Sequence, residues 1–309
     1  MSRMLERRGL SALTDALYRR PALWLFLLLA PPLLWFGLVY LGSLFALLAQ
    51  SFFTFDDFTM NVSPVLTLDN YRALLDPANH DVILRTVAMA AAVTLAAAVL
   101  AFPLAYYMAR YARGWRKGFF YVAVMLPMWA SYIVKAYSWT VILAKGGLVY
   151  WFYRSFGLSG VVDWLLSLPG IGGDSLSTST LGRFTVFTYI WLPFMILPIQ
   201  AALERVPGNL IQAAADLGAT PFMAFRTVIL PLAFPGVVAG SIFTFSLTLG
   251  DYIIPQLFGP SGLFIGTMVY TMQGSIGNMP MAGAFTLVPV LIIAVYLSIA
   301  KRLGAFDAL

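Results

Sequence analysis

Six long apolar stretches constrain this chain more than anything else in it. They are Ala22–Ala49, Ile83–Ala109, Gly118–Leu143, Phe184–Leu203, Leu232–Gly250 and Met281–Ala300. The hydrocarbon layer of a bilayer is about 30 Å thick, and a helix needs about 20 apolar residues to cross it. No water reaches a backbone N–H or C=O there, so each run must be a helix, which bonds within itself. Composition agrees: 61% of the 309 residues are hydrophobic and 10% are charged, against roughly a quarter charged in an average soluble domain. The expected fold class is an all-α integral membrane protein with six transmembrane helices, in one domain that accounts for residues 1–309. The first stretch is too long for a signal-peptide core, and no small-residue cleavage site follows it, so it is expected to remain.

The basic residues orient the bundle. Arg3, Arg7, Arg8, Arg19, Arg20, Arg110, Arg113, Arg116, Lys117, Arg205, Arg226, Lys301 and Arg302 fall on one side, thirteen in all, against Arg72, Lys145, Arg154 and Arg183 on the other. Arg85 and Lys135 lie within spans. Lys and Arg accumulate on the cytoplasmic side, which puts both termini there. The net charge of +6 is thereby assigned to topology and anionic lipid rather than to nucleic acid. The leading basic segment, 1–21, carries Leu5, Leu10, Leu13, Ala16 and Leu17 among its charges. It reads either as an interfacial helix or as a solvated tail.

The connection 206–231 has an architecture of its own. Asn209 is a candidate N-cap for a helix running to Leu217. Gly218 suits the left-handed residue that closes such a helix. Thr220 and Pro221 give a second N-cap and first helical residue. Pro231 and Pro235 then delimit the start of the fifth span. Two short helices with a sharp turn are expected, with Leu210, Ile211, Phe222 and Phe225 in need of cover. Either a partner or the protein's own helix ends supply that cover.

Within this connection Gln212-Ala213-Ala214, three residues, Gly218, nine residues and then Val228-Ile229-Leu230-Pro231 resemble the EAA signature of binding-protein-dependent ABC importer permeases. Leu68–Leu75 and Phe102–Arg110 resemble that family's first outer loop and the end of its second core helix. Leu126–Trp139 and Leu249–Pro255 are similar to its polyamine and opine branch, where the position of Lys135 is commonly arginine. The resemblance implies a type I ABC importer permease fold with cytoplasmic termini, in the bacterial inner membrane. It implies that 206–231 docks on an ATPase, through Gln212, Ala213, Ala214, Asp216, Gly218, Ala219, Leu230 and Pro231. It also implies the partners: two cytoplasmic ATPase subunits that bind ATP and Mg, a second related permease, and a soluble substrate-binding protein. In the family Gln212 is usually glutamate. Glutamine loses the charge and keeps the hydrogen-bonding capacity, which removes any salt bridge from that position but not the docking.

Two charges sit near the far ends of spans. Lys135 is seventeen residues beyond Gly118, about 26 Å along a straight helix, where an unpaired charge costs about 3 kcal/mol or more. Asp251 closes the fifth span on the same side. Both are candidates for the border of a translocation path, and for a pair. The alternatives are that Lys135 snorkels and that Asp251 is an interfacial loop residue. Trp129, Tyr132, Tyr137, Trp139 and Tyr252 offer faces for an ammonium group, or form an interfacial aromatic belt.

The chain lacks the motifs of chemistry. None of its four lysines precedes Ser or Thr, so no phosphate-binding P-loop is present. There is no cysteine, and the one histidine, His80, lies between Asn79 and Asp81, where it reads as a solvated loop residue; no metal site is expected. No G-x-S-x-G elbow occurs. A transport subunit driven by a partner's ATPase is expected, with a polyamine as the leading substrate and an opine or amino-acid derivative beside it. The alternative is an ion-coupled secondary transporter, which would carry inverted repeats and intramembrane carboxylates.

Overall fold

The computed structural model describes residues 21–260 and 262–302. The basic segment 1–21, expected as an interfacial helix or a tail, lies outside them apart from its last residue. Among the described residues five helices are long and apolar enough to cross a membrane, and a sixth span is a helix pair bent by 96°.

The first span is α1 (Pro21–Leu34), a π-helical stretch Trp35–Leu41, and α2 (Gly42–Gln50). Its side chains face outward along most of its length, as lipid contact allows. It is fastened only near its far end. There Gly283 lies so close that a Cβ would come 2.5 Å from Leu47 O and 3.0 Å from Ser51 Cβ. A two-stranded antiparallel hairpin follows, β1 (Phe53–Asp56) and β2 (Asn61–Leu66), an addition to the helical pattern. The Leu68–Leu75 stretch, with α3 (Asp69–Ala73), clasps this hairpin to the span. Asn70 Nδ2 donates to Ser51 O (2.9 Å) and Phe53 O (2.8 Å), and the Tyr71 and Ser51 hydroxyls lie 2.5 Å apart.

The core is a three-helix packing of α4 (Pro77–Arg110), α9 (Thr180–Arg205) and the helix that ends at Gly250. Alpha-4 presents a stripe of fully buried alanines, Ala90, Ala97, Ala101 and Ala105, which lets neighbouring backbones approach. The fifth span answers with Gly236 and Gly240, one turn apart. A Cβ on Gly236 would fall 2.5 Å from Ala202 Cβ and 2.7 Å from Pro198 O; one on Gly240 would fall 2.8 Å from Met195 Sδ. Lipid offers helices no hydrophobic drive to associate, so close contact through small residues supplies the attraction.

Three expectations need correction. The third span is not one helix from Gly118 to Leu143. It breaks into α5 (Trp115–Trp129) and α6 (Tyr132–Leu143), with Ala130 and Ser131 extended at ψ 142° and 134°. Pro127, in the last turn of α5, cannot donate into the helical ladder, and the chain turns there. The straight-helix height of Lys135 therefore does not apply. Beyond the bend the chain continues through α7 (Leu148–Ser155) and α8 (Ser159–Ser167).

Second, Pro231 does not separate the second loop helix from the fifth span. Alpha-11 (Pro221–Ala224), a π-helical segment Phe225–Ile229 and α12 (Leu230–Gly250) form one continuous helix of 30 residues. The π-helical widening just before Pro231 relieves the clash and the missing donor that proline imposes on a regular helix. Third, Arg183 is not a loop charge. It sits in the first turn of α9 and is 1% exposed.

Between the fifth and sixth spans the chain folds back as α13 (Ile253–Leu257), α14 (Ile265–Thr271) and a π-helical turn Met272–Ile276, before α15 (Met279–Arg302). Phe258, Phe264, Ile265 and Met268 are buried there. We expect Gly240→Leu to force α9 and α12 apart and to lower stability by about 3 kcal/mol, the upper range of core overpacking. Gly118→Ala, where a Cβ meets nothing within 4 Å, is neutral or slightly stabilising. Thermal unfolding of the two purified variants checks both.

Candidate coupling and translocation sites

The connection after α9 is a rigid helical corner. Arg110, at the end of α4, donates from Nη2 to Val206 O (2.7 Å) and pins its start. Alpha-10 runs Gly208–Asp216, two residues earlier than an Asn209 cap implies. Pro207 is the extended residue before it (ψ 133°), so Asn209 falls inside the first turn. The end is as expected. Gly218 is left-handed (φ +84°), with Gly218 N bonded to Ala215 O and Ala219 N to Ala214 O, both at 2.9 Å. These two bonds are a Schellman closure. Thr220 Oγ1 then accepts from Met223 N (3.3 Å), and Pro221 opens the long helix.

This corner divides the apolar residues that needed cover. Ile211 and Phe225 pack inward, Phe225 edge-on to Phe102 at 5.6 Å. Leu210, Phe222 and Met223 are exposed, Phe222 at 72%, and Leu217 is 88% exposed. Leu217 and Met223 were not anticipated. Their signal was their place on either side of the Gly218 turn. Gln212, Ala213, Asp216 and Gly218 share the exposed surface, Ala214 and Ala219 are half-buried, and Leu230 and Pro231 belong to the long helix.

At the other end of that helix the chain breaks at Asp251. Oδ1 of Asp251 accepts from Ile253 N (2.8 Å) and Ile254 N (3.1 Å), which starts α13. Oδ2 accepts from the hydroxyl of Tyr132, at the start of α6. The Tyr132 ring stacks on Trp191 at 5.7 Å. The carboxylate thus ties the bent third span to the end of the fifth. Gly266 packs directly on this break, where a Cβ would lie 2.5 Å from Asp251 O.

Asp251 and Lys135 do not pair. Lys135 Nζ donates to Pro127 O (2.8 Å), a carbonyl in the last turn of α5. Such carbonyls have no helical partner, and cations suit this end of a helix. Trp139, half-buried, meets Tyr189 at 5.0 Å. Trp129 (75% exposed) and Tyr137 (58%) face outward. Tyr252 stacks on Tyr270 at 4.9 Å and 11°. Both rings line a cavity of about 360 Å³ with Gly250, Gly266, Gln273 and Thr286. Tyr270 and Gln273 lie between the fifth and sixth apolar stretches and were not anticipated.

The chain is 66% identical over 304 residues to the inner membrane ABC transporter permease protein YdcU of Escherichia coli K12, covering 98% of this chain and 97% of that one. It is 30% identical to the spermidine/putrescine transport system permease protein PotB of the same organism, over 84% and 90% of the two chains. Its fold is similar to a chain of a bacterial ABC transporter involved in alginate import, with TM-score 0.66 at 20% identity, covering 94% of this chain and 99% of that one. The family described as binding-protein-dependent transport system inner membrane component matches residues 101–305, the stretch that holds two of the three core helices, the end of α4, the pinned corner and the Asp251 break. The chain belongs to that family, and is a multi-pass inner-membrane permease subunit of an ABC importer.

Proposed function

We propose that this permease forms half of an import path for a small polyamine, and that its 206–231 corner is the point where an ATPase drives it. One observation carries the reading: a single 30-residue helix joins the corner to the Asp251 break. At about 1.5 Å per residue such a helix is about 45 Å long. A push on Leu217, Phe222 and Met223 would reach the cavity wall without passing through a flexible linker. In this reading Gln212, Ala213, Ala214 and Asp216 line the docking face beside those apolar residues. In this reading the basic end of the bundle faces the cytoplasm, which the excess of Lys and Arg on that side supports. Two ATPase subunits with ATP and Mg, a second permease and a soluble binding protein complete the machine. ATP binding would close the ATPases and turn the cavity outward, and hydrolysis would reset it.

The polyamine assignment rests on the similarity to PotB and on the chemistry beside the cavity. The stacked Tyr252–Tyr270 pair offers π-faces to an ammonium group, Asp251 lies next to it, and no lysine or arginine lines the cavity. Lys135, engaged with Pro127 O, supports the wall rather than meeting the substrate. Trp129 and Tyr137 fit the interfacial belt.

Two outcomes test this. Phe222→Glu inserts and melts like the wild type but loses co-purification with the ATPase; retention of the ATPase at wild-type yield would refute the docking face. Asp251→Asn, assayed for spermidine uptake in proteoliposomes with the complete transporter, raises KM by about tenfold, the order expected for losing one charged contact. Unchanged uptake kinetics would remove Asp251 from the path.

A further inference from the structure

A second polar site lies at the same end of the bundle as Asp251, between α4, α9 and the connection from α13 to α14. Arg183 is buried there with its charge uncompensated. Its Nε donates to Phe258 O (2.8 Å), and its Nη2 to Pro260 O (3.0 Å) and Pro255 O (3.5 Å). The Phe264 ring lies 4.6 Å from its central carbon. Every one of these partners is neutral. Among the described residues the ion pairs join Arg72 to Asp69, Arg85 to Asp81 and Lys117 to Glu204; none reaches Arg183. Carbonyl bonds satisfy its donors without cancelling its charge, and a buried charge is strongly disfavoured without a counter-charge.

The second guanidinium in the same place deepens the imbalance. Arg85 and Arg183 line one cavity of about 260 Å³, with Thr180, Gly262 and Phe264. Arg85 has a partner, but that partner is the exposed Asp81 on its own helix. Two positive groups thus share one carboxylate, and that carboxylate faces outward. Thr180 is the first residue of α9, a helix of 26 residues, so the positive end of its dipole adds to the same field. The backbone presses on both guanidiniums. Gly259 is left-handed (φ +85°), and a Cβ there would come 2.6 Å from Arg183 Cζ; a Cβ on Gly262 would collide with Arg85 Nη1.

We propose that this cavity is an anion site that takes a phosphate group, from a phospholipid headgroup or as free phosphate. Paired guanidiniums match the geometry of phosphate oxygens, and the cavity has room for one such group. Leu84 and Leu263, the chain neighbours of Arg85 and Gly262, are exposed, apolar surface of the kind that suits acyl chains. A phosphate bound there ties α4 and α9 to the connection that carries α13 and α14, and so stiffens the wall beside Asp251.

The test uses the complete transporter in detergent, followed by thermal melting and native mass spectrometry. Phosphatidylglycerol and inorganic phosphate are titrated separately, with phosphatidylcholine and chloride as controls. We expect one of the two phosphates to raise the melting temperature above its control and to be retained in the spectrum. Arg85→Gln, at a partly exposed position, weakens that binding by at least about tenfold while the melting temperature without added phosphate stays near wild type. A response to phosphatidylglycerol alone assigns the lipid headgroup, and a response to inorganic phosphate assigns the free anion. No response to either, or an equal response in Arg85→Gln, overturns the proposal.

Discussion

Inside a bilayer a backbone that leaves the helix must find its hydrogen bonds within the protein, and this chain meets that demand with side chains, some from the break itself and some from distant segments. At the bend of the third span Lys135 serves Pro127 O. At the end of the fifth span Asp251 serves Ile253 N and Ile254 N. After α13, Arg183 serves Phe258 O and Pro260 O. At the start of α14, Thr86 accepts from Ile265 N (3.0 Å) and Thr267 from Phe264 N (2.7 Å). The same bonds that make the breaks tolerable also fix where they lie. Asp251 is held from the third span by Tyr132 and the α13–α14 connection is held from α9 by Arg183, so the cavity walls have defined positions.

The rest of the architecture follows from where the backbones come closest. The alanine face of α4 and the Gly236–Gly240 pair bring three helices together without polar contacts. The first span stands apart and touches the bundle chiefly near its far end, around Ser51 and Gly283. The fifth span runs through that tight core as one unbroken strut. Its foot is the Gly218 corner, with a Schellman closure behind it and exposed apolar residues in front. Its head is Asp251. The π-helical segment before Pro231 keeps that strut unbroken where the sequence shows a helix breaker.

Much of this was legible in the residues. Run length marked five of the apolar helices, because the thickness of a bilayer is a fixed ruler, but it could not show that the third stretch is a bent pair. Gly218, Thr220 and Pro221 announced the corner, because capping is local chemistry. The failures were non-local. Whether Pro231 breaks or merely widens a helix depends on what packs around Ile229 and Ala233. At the Ala130 bend Lys135 reaches back to a carbonyl eight residues earlier, a contact that helical periodicity does not announce. Arg183 read as a surface charge because its partners lie more than seventy residues away. Gly236 and Gly240 were present as a small-residue pair, but only the facing Met195 and Ala202 give the pair its meaning.

The corner and the cavity lie at the two ends of one helix in this importer permease. The most direct measurement inserts two glycines between Ile229 and Leu230 and follows uptake and ATP hydrolysis together in proteoliposomes with the complete transporter. If the helix is the strut, the ATPase still assembles and hydrolyses ATP while uptake per ATP falls by an order of magnitude or more. Uptake per ATP at the wild-type ratio would contradict the account.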